Sequence, residues 1–215
     1  MKQIRDKKLV AVSMRIDTIE SYGEVRDAVD ENLFHWLAKA GFLPVPVPNT
    51  LVETDVLESW FSCIQPDFFV LSGGNNIGDF PNRDQTEMGI INYSVENKKP
   101  LLGICRGMQM IAKWAGEEVV AVTGHVRTRH HLNSEIESIS LPESVNSYHD
   151  FAIKSCPEAF EVISRSDDGF LEAFKHKSLP VEGWMWHPER EIKFSTDDFT
   201  NIRKLFNTDH NILTT

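Results

Sequence analysis

Leu101-Leu102-Gly103-Ile104-Cys105-Arg106-Gly107-Met108-Gln109 is the stretch whose reading decides the fold. The run Pro100 to Ile104 is apolar and ends abruptly at Cys105. A helical pattern starts at once, with Met108, Ile111, Ala112 and Ala115 at spacings of three and four. This pattern predicts a buried strand running straight into a helix. Cys105 then stands on a sharp strand-to-helix turn, flanked by Gly103 and Gly107, where a side chain would collide with neighbouring backbone. At the start of a helix, unpaired N–H groups and the dipole favour negative charge on the sulfur. The N–H of Arg106 is placed to meet an oxyanion. The pattern is that of a nucleophile elbow carrying cysteine.

A small cysteine at a strand end also packs well as a modest hydrophobe, and in isolation that reading is the commoner one. His187-Pro188-Glu189, after the apolar run Val181 to Trp186, changes the balance. Cysteine, histidine and carboxylate are the nucleophile, base and orienter of a thiol acyl-transfer site. Proline between the last two stiffens the segment that presents them.

Gly-Ile-Cys-Arg-Gly-Met-Gln (103–109) and Trp-His-Pro-Glu (186–189) resemble the class I glutamine amidotransferase superfamily, and within it the γ-glutamyl hydrolase branch. The likeness runs in order of elements from about Leu9 to Glu189. It implies a three-layer α/β fold of flavodoxin-like type with a mostly parallel sheet, spanning residues 1–215 as one catalytic domain. It implies a Cys105, His187, Glu189 triad that needs no cofactor and no metal. It assigns a second oxyanion donor to Gly73 or Gly74. To the backbone around Ser147, Tyr148 and His149, in Asn-Ser-Tyr-His, it assigns contacts to the α-amino and α-carboxylate ends of a glutamyl group, with Gln109 as a further polar contact. Gly169-Phe170-Leu171-Glu172-Ala173 matches the family's Asp-Gly-x-x-Glu pattern. Ala115-Gly116-Glu117-Glu118 departs from the usual Gly-Gly.

The remaining chain is read from its own periodicity. Lys8 to Met14 predicts the first buried strand, with Arg15 beyond its end as a solvated loop charge. Glu24 to Ala40 carries Val25, Val29, Leu33, Trp36, Leu37 and Ala40, the stripe of one amphipathic helix stopped by Gly41. Leu43 to Val47, with Pro44 and Pro46, predicts a strand near a sheet edge. Thr54 to Ile64 predicts a helix capped by Thr54 or Asp55. Asp67 to Ser72 is a strand ending in Gly73-Gly74, where the backbone is free to turn its N–H groups inward. Arg83-Asp84-Gln85-Thr86-Glu87 opens a helix to about Asn97, and Arg83 is a candidate fork for the substrate's α-carboxylate. Three strands follow at Glu161 to Ser166, Gly169 to Phe174 and Val181 to Trp186. A last helix runs Thr196 to Asn207, capped by Thr196 or Asp197, and the final eight residues read as loose.

Composition narrows the partners. With 215 residues, a net charge of −10 and no apolar run of membrane length, the chain reads as a cytoplasmic protein that binds neither nucleic acid nor membrane. Cys63, Cys105 and Cys156, odd in number and far apart, suit free thiols in a reducing compartment. His125, His130 and His131 are the nearest approach to a metal set and lack a fourth ligand, so none is expected. Within an acidic protein, His125-Val126-Arg127-Thr128-Arg129-His130-His131 is a basic island. It is either a solvated hairpin or a loop over the pocket, where Arg127, Arg129 and His131 would meet an anionic leaving group.

Together these features predict a hydrolase of a small γ-glutamyl amide. The basic island favours a phosphorylated or nucleotide-linked amidate, of the kind cleaved by γ-glutamyl-CDP-amidate hydrolases of bacterial capsule pathways. The alternative is a glutaminase subunit that supplies ammonia to a synthase partner. Homo-oligomerisation is left open.

Overall fold

Short runs of branched and aromatic residues build the parallel half of an eight-stranded sheet in the computed structural model, which describes residues 7–206. The parallel strands are β1 (Leu9–Ser13), β4 (Leu43–Val47), β5 (Phe68–Leu71), β6 (Leu101–Ile104) and β14 (Val181–Trp184). An antiparallel wing follows, made of β13 (Leu171–His176), β12 (Phe160–Arg165) and the two-residue β9 (Asn133–Ser134). The order across the sheet is β4-β1-β5-β6-β14-β13-β12-β9. β4, with its two prolines, lies at the edge as expected, where a missing donor costs no ladder bond.

β1, β5 and β6 are buried along their whole length because both faces are covered. Their side chains alternate between two cores. Val10, Val12, Phe68, Val70, Leu102 and Ile104 pack on one side with α1 (Glu31–Ala40) and α6 (Thr196–Phe206), through Trp36, Leu37, Ile202 and Phe206. Ala11, Phe69, Leu71 and Leu101 pack on the other with α3 (Leu57–Ile64), α4 (Pro81–Glu96) and α5 (Arg106–Trp114). This is the expected three-layer α/β/α arrangement.

Two helices differ from their sequence reading. Glu24 to Ala40 is a strand and a helix: β3 (Glu24–Ala28) pairs with β2 (Arg15–Ile19) in a hairpin, and α1 begins only at Glu31. The side chain of Asp30 accepts from the Asn32 N–H at 2.9 Å and fixes that start. Val25 continued the helical stripe by coincidence and is exposed. Thr54 to Ile64 is helical only from Leu57, as α3; a separate turn of helix, α2 (Thr50–Glu53), precedes it with Asp55 at φ 55° between them, so Val56 and neither Thr54 nor Asp55 stands at the start of α3. The Ser195 hydroxyl accepts from Asp197 N–H at 3.1 Å, so Ser195 starts α6 in place of Thr196 or Asp197. The loose end expected at residues 208–215, and Asn207 itself, lie outside the described residues.

Two ribbons sit above the sheet. β8 (Val126–His131) pairs antiparallel with β10 (Ser144–Tyr148), and β7 (Val119–Ala121) with β11 (Phe151–Ile153). The basic island is therefore a paired strand. At the carboxyl ends of β1, β5, β6 and β14 stand Arg15, Gly73-Gly74, Cys105 and His187, the end of a parallel sheet where α/β folds place ligands.

Candidate active site

Cys105 has φ 50° and ψ −106°, a conformation that side chains rarely adopt. It is held there from both sides. Its N–H donates to the Trp184 carbonyl at 2.7 Å, so β14 grips the last residue before the turn. A Cβ on Gly107 would lie 2.3 Å from the Leu71 carbonyl oxygen, and one on Gly103 would lie 2.5 Å from the Gly107 carbonyl carbon. The two glycines let β6 and α5 close to the distance that a sharp elbow needs.

His187 follows β14 and opens a 3-10 turn at Pro188–Arg190. Its Nδ1 and Glu189 Oε1 are 2.6 Å apart, and Cys105 lies close enough to the ring to influence its charge. With Nδ1 committed to the carboxylate, Nε2 is the nitrogen left for the sulfur. Burial by itself favours neutral imidazole. The Glu189 carboxylate and Cys105 outweigh it and raise the His187 pKa to about 10. Cys105, His187 and Glu189, the expected nucleophile, base and orienter, are thus brought together.

Gly73 packs on this pair: a Cβ there would lie 2.5 Å from His187 Cε1. Its neighbours are organised by Arg83, which is fully buried. That guanidinium donates to three successive carbonyls, Ser72 at 2.9 Å, Gly73 at 3.0 Å and Gly74 at close range, and to Asn75 Oδ1 at 2.9 Å. In a planar trans peptide the N–H points opposite to the preceding C=O. Fixing three carbonyls on the Arg83 side therefore turns the N–H groups of Gly73, Gly74 and Asn75 away from it. This corrects the expectation for Arg83. Its donors are spent inside the protein, and no fork remains for a carboxylate.

The same network holds the elbow helix. The Arg106 side chain bonds Glu87 and Asp84, Arg83 Nε bonds Glu87 at 3.1 Å, and Ser13 Oγ donates to Glu87 at 2.8 Å. The main-chain N–H of Arg106, in the first turn of α5, has no partner within the helix. Burial lowers the Arg83 pKa to about 10 against the pull of Glu87, so it stays cationic at neutral pH.

The Asn-Ser-Tyr-His segment divides. The Tyr148 ring lies 6.0 Å from the His187 ring, edge to face, with Arg190 stacked 4.9 Å from its centre. The Ser147 hydroxyl is buried and donates to the His125 carbonyl at 2.6 Å. His149 is buried, with Nδ1 bonded to the Phe151 carbonyl at 2.9 Å, and burial drives its pKa down to about 3. Both side chains are turned into the protein, which leaves the main chain of this segment for the contacts the resemblance implies. Asn146, which sequence reasoning passed over, grips the main chain of His187 at both ends. Its signal was an Asn inside a strand, a residue type that strands disfavour.

Gln109 donates to the Phe151 carbonyl at 2.9 Å and lines a cleft of about 380 Å³ with Asn76, Ile77, Lys113 and Glu118. Neither Cys105 nor His187 lines it; the link to the elbow is Gln109, one helical turn after Cys105. On the basic strand, Arg129 is spoken for by Glu191 at 3.1 Å and the Ser144 carbonyl at 2.8 Å, whereas Arg127 and His131 are exposed. The three cysteines are free thiols. Among the described residues, no helix is long and apolar enough to cross a membrane.

The profile of the family "Glutamine amidotransferase class-I" matches residues 23–203. A γ-glutamyl-CDP-amidate hydrolase of Campylobacter jejuni is 32% identical over 191 residues, 85% of this chain and 90% of that protein. A glutamine-hydrolysing GMP synthase subunit of Pyrococcus furiosus is 32% identical over 169 residues, 74% of this chain and 83% of that one. Among solved structures, a putative GMP synthase subunit from Thermoplasma acidophilum shares the fold, with a TM-score of 0.68 at 22% identity over 94% of both chains. The chain belongs to the class I glutamine amidotransferase family.

Proposed function

We propose that the protein is a cysteine-dependent hydrolase that cleaves the amide bond of a small γ-glutamyl conjugate and releases glutamate. The observation that carries this reading is His187, tied to Glu189 at 2.6 Å and electrostatically coupled to a cysteine on a positive-φ elbow. His187 takes the thiol proton, and the sulfur attacks the δ-carbonyl carbon of the γ-glutamyl group. The N–H groups of Arg106 and of Gly73 or Gly74 hold the oxyanion, a pair in which one lost donor costs about 3–4 kcal/mol. His187 then protonates the departing nitrogen and the C–N bond breaks, leaving a glutamyl thioester. Water, deprotonated by the same imidazole, adds to the thioester, and glutamate departs as the thiol is restored. Each step uses groups of this chain alone, on residues 1–215 read as one catalytic domain.

The leaving group we favour is anionic, a phosphorylated or nucleotide-linked amidate. Two facts support this: the Campylobacter relative is named for such a substrate, and Arg127 and His131 keep exposed basic groups on the strand paired with the Tyr148 segment. Capsule biosynthesis in the cytoplasm is the corresponding setting, and the three free thiols suit its reducing conditions. The second reading, a glutaminase that passes ammonia to a synthase partner, draws on the likeness to the Pyrococcus protein. Purified protein, incubated alone with glutamine and with neutral and phosphorylated γ-glutamyl amides, separates the two. The hydrolase reading expects Cys105-dependent glutamate release from one amide with glutamine a poor substrate. Weak release from every amide sinks it in favour of the ammonia-donating glutaminase.

A further inference from the structure

Outside the candidate active site, His125, His130, His149 and Glu172 bring one ligand atom each to within 4.8 Å of all the others. His125, His149 and Glu172 are buried at 3% exposure or less, and His130 is half-buried. His125 Nδ1, His130 Nε2, His149 Nε2 and both Glu172 oxygens are buried and have no hydrogen-bond partner. Buried groups of this kind are ordinarily satisfied, so five together call for an explanation.

The ring chemistry supplies one. His149 Nδ1 faces the Phe151 carbonyl at 2.9 Å, and a carbonyl only accepts, so Nδ1 carries the proton and Nε2 turns a lone pair into the cluster. His125 Nε2 faces Asp168 Oδ2 at 2.8 Å, which leaves its Nδ1 in the same condition. These nitrogens and the Glu172 carboxyl therefore face one another, more acceptor atoms than the single proton of a neutral carboxyl can serve. A single water has two protons to give and cannot satisfy them all. A cation can.

We propose that His125, His130, His149 and Glu172 form a binding site for a divalent transition metal, zinc foremost. Imidazole nitrogens with a carboxylate oxygen suit zinc, and four protein ligands make a closed, structural site. Asp168 on His125 and the Phe151 carbonyl on His149 are the outer partners that fix tautomer and ring orientation. Metal–nitrogen bonds of about 2.0–2.1 Å draw the four groups inward from their present spacing. Such a site staples the ribbon to the main sheet, since His130 lies on β8, His149 follows β10 and Glu172 lies on β13. β10 carries Asn146 and Tyr148, which touch His187, so metal loading orders the residues around the imidazole. The proposal stands on these four side chains and not on any substrate.

The test is metal content and spectroscopy of the full chain. Protein purified without chelator is dialysed and its zinc measured by mass spectrometry; chelator-stripped protein is titrated with Co²⁺ and with Zn²⁺. We expect one retained equivalent, the visible absorption of tetrahedral cobalt, its displacement by zinc, and a higher Tm on loading. His130→Asn, at the half-buried ligand, should lose the metal. Asp168→Ala, at an exposed carboxylate, should weaken zinc binding about 10–100-fold while leaving the fold intact by circular dichroism. No retained metal together with no cobalt band in the wild-type chain overturns the proposal. So does a full equivalent that persists in His130→Asn and Asp168→Ala alike.

Discussion

Asn146 holds His187 by both ends of its own main chain: Nδ2 donates to the His187 carbonyl at 2.7 Å, and Oδ1 accepts from the His187 N–H at 3.1 Å. The clamp is itself braced, because Asn146 Nδ2 and N–H also donate to Glu191 Oε1 at 2.8 and 3.1 Å, and Glu191 is held by Arg129. Asn146 contacts no substrate in this scheme; it is a positioning residue. Asn146→Ala removes both clamping bonds; the His187 carbonyl keeps the Arg190 N–H at 3.0 Å, but the His187 N–H loses its partner, at a cost of about 1–3 kcal/mol. An imidazole displaced by an ångström loses on the order of 10²-fold in rate. The expected split is a fall in kcat of that size with KM little changed. Arg129→Ala, one link further out and exposed, should give a smaller fall of the same kind. A loss confined to Tm, with kcat intact in the folded fraction, would show that the clamp is only structural.

Arg83 predicts a second effect. Arg83→Met keeps much of the buried volume but releases the carbonyls of Ser72, Gly73 and Gly74 and leaves Glu87 with Arg106 and Ser13. Breaking one side of a buried ion pair costs about 3–5 kcal/mol. If the freed peptides no longer aim an N–H at the oxyanion, kcat falls about 10²–10³-fold, the value of one donor. Arg83→Lys, which keeps the charge but not the fork, should recover part of the stability and little of kcat. Equal recovery of both by lysine would mean that charge, and not the three-carbonyl grip, is what matters.

The elbow itself sets a sign that ordinary propensity would not. Replacing alanine by glycine in regular structure normally destabilises by about 0.5–1 kcal/mol. At position 105, with φ 50° and ψ −106°, any Cβ is strained by about 1–3 kcal/mol. Cys105→Gly should therefore be more stable than Cys105→Ala, by about 1 kcal/mol in chemical denaturation, while both release no glutamate. Alanine proving the more stable of the two would remove strain from the account of the nucleophile.

The parallel strands and the elbow were legible in the sequence because fully buried strands write themselves as unbroken apolar runs and the turn demands glycine on both sides. His187 and Glu189 were legible because two residues of local chain place them together. What stayed hidden depended on distant partners. Nothing local distinguishes an Arg83 that grips its own backbone from one that awaits a ligand; the difference lies in the carbonyls of residues 72–74. The stripe through Val25 and Val29 suggested a longer helix because periodicity cannot see the hairpin partner Arg15–Ile19 or the cap at Asp30. His131 was grouped with His125 and His130 by adjacency. The fold instead exposes it and brings in His149 and Glu172 from two other segments.

Asp198 gives the last prediction, in stability against pH. Its carboxylate lies in the first turn of α6, buried, with neither oxygen in a well-formed hydrogen bond. Burial raises its pKa to about 7 against the weaker pull of the Trp186 indole. In the unfolded chain it titrates at about 3.9. Below that value both states hold the proton, and the full contribution is present. Between there and about 7 the unfolded chain gives up the proton and the folded one does not, so stability falls as pH rises. Above 7 the folded state carries a buried, unpaired charge and the contribution is gone. Asn cannot ionise, so Asp198→Asn should gain on the wild type by a few kcal/mol between about pH 4 and pH 8. Urea denaturation of both proteins across that range measures the gap directly. A gap that stays constant with pH would mean that Asp198 is ionised throughout, with a donor or the helix dipole holding its charge.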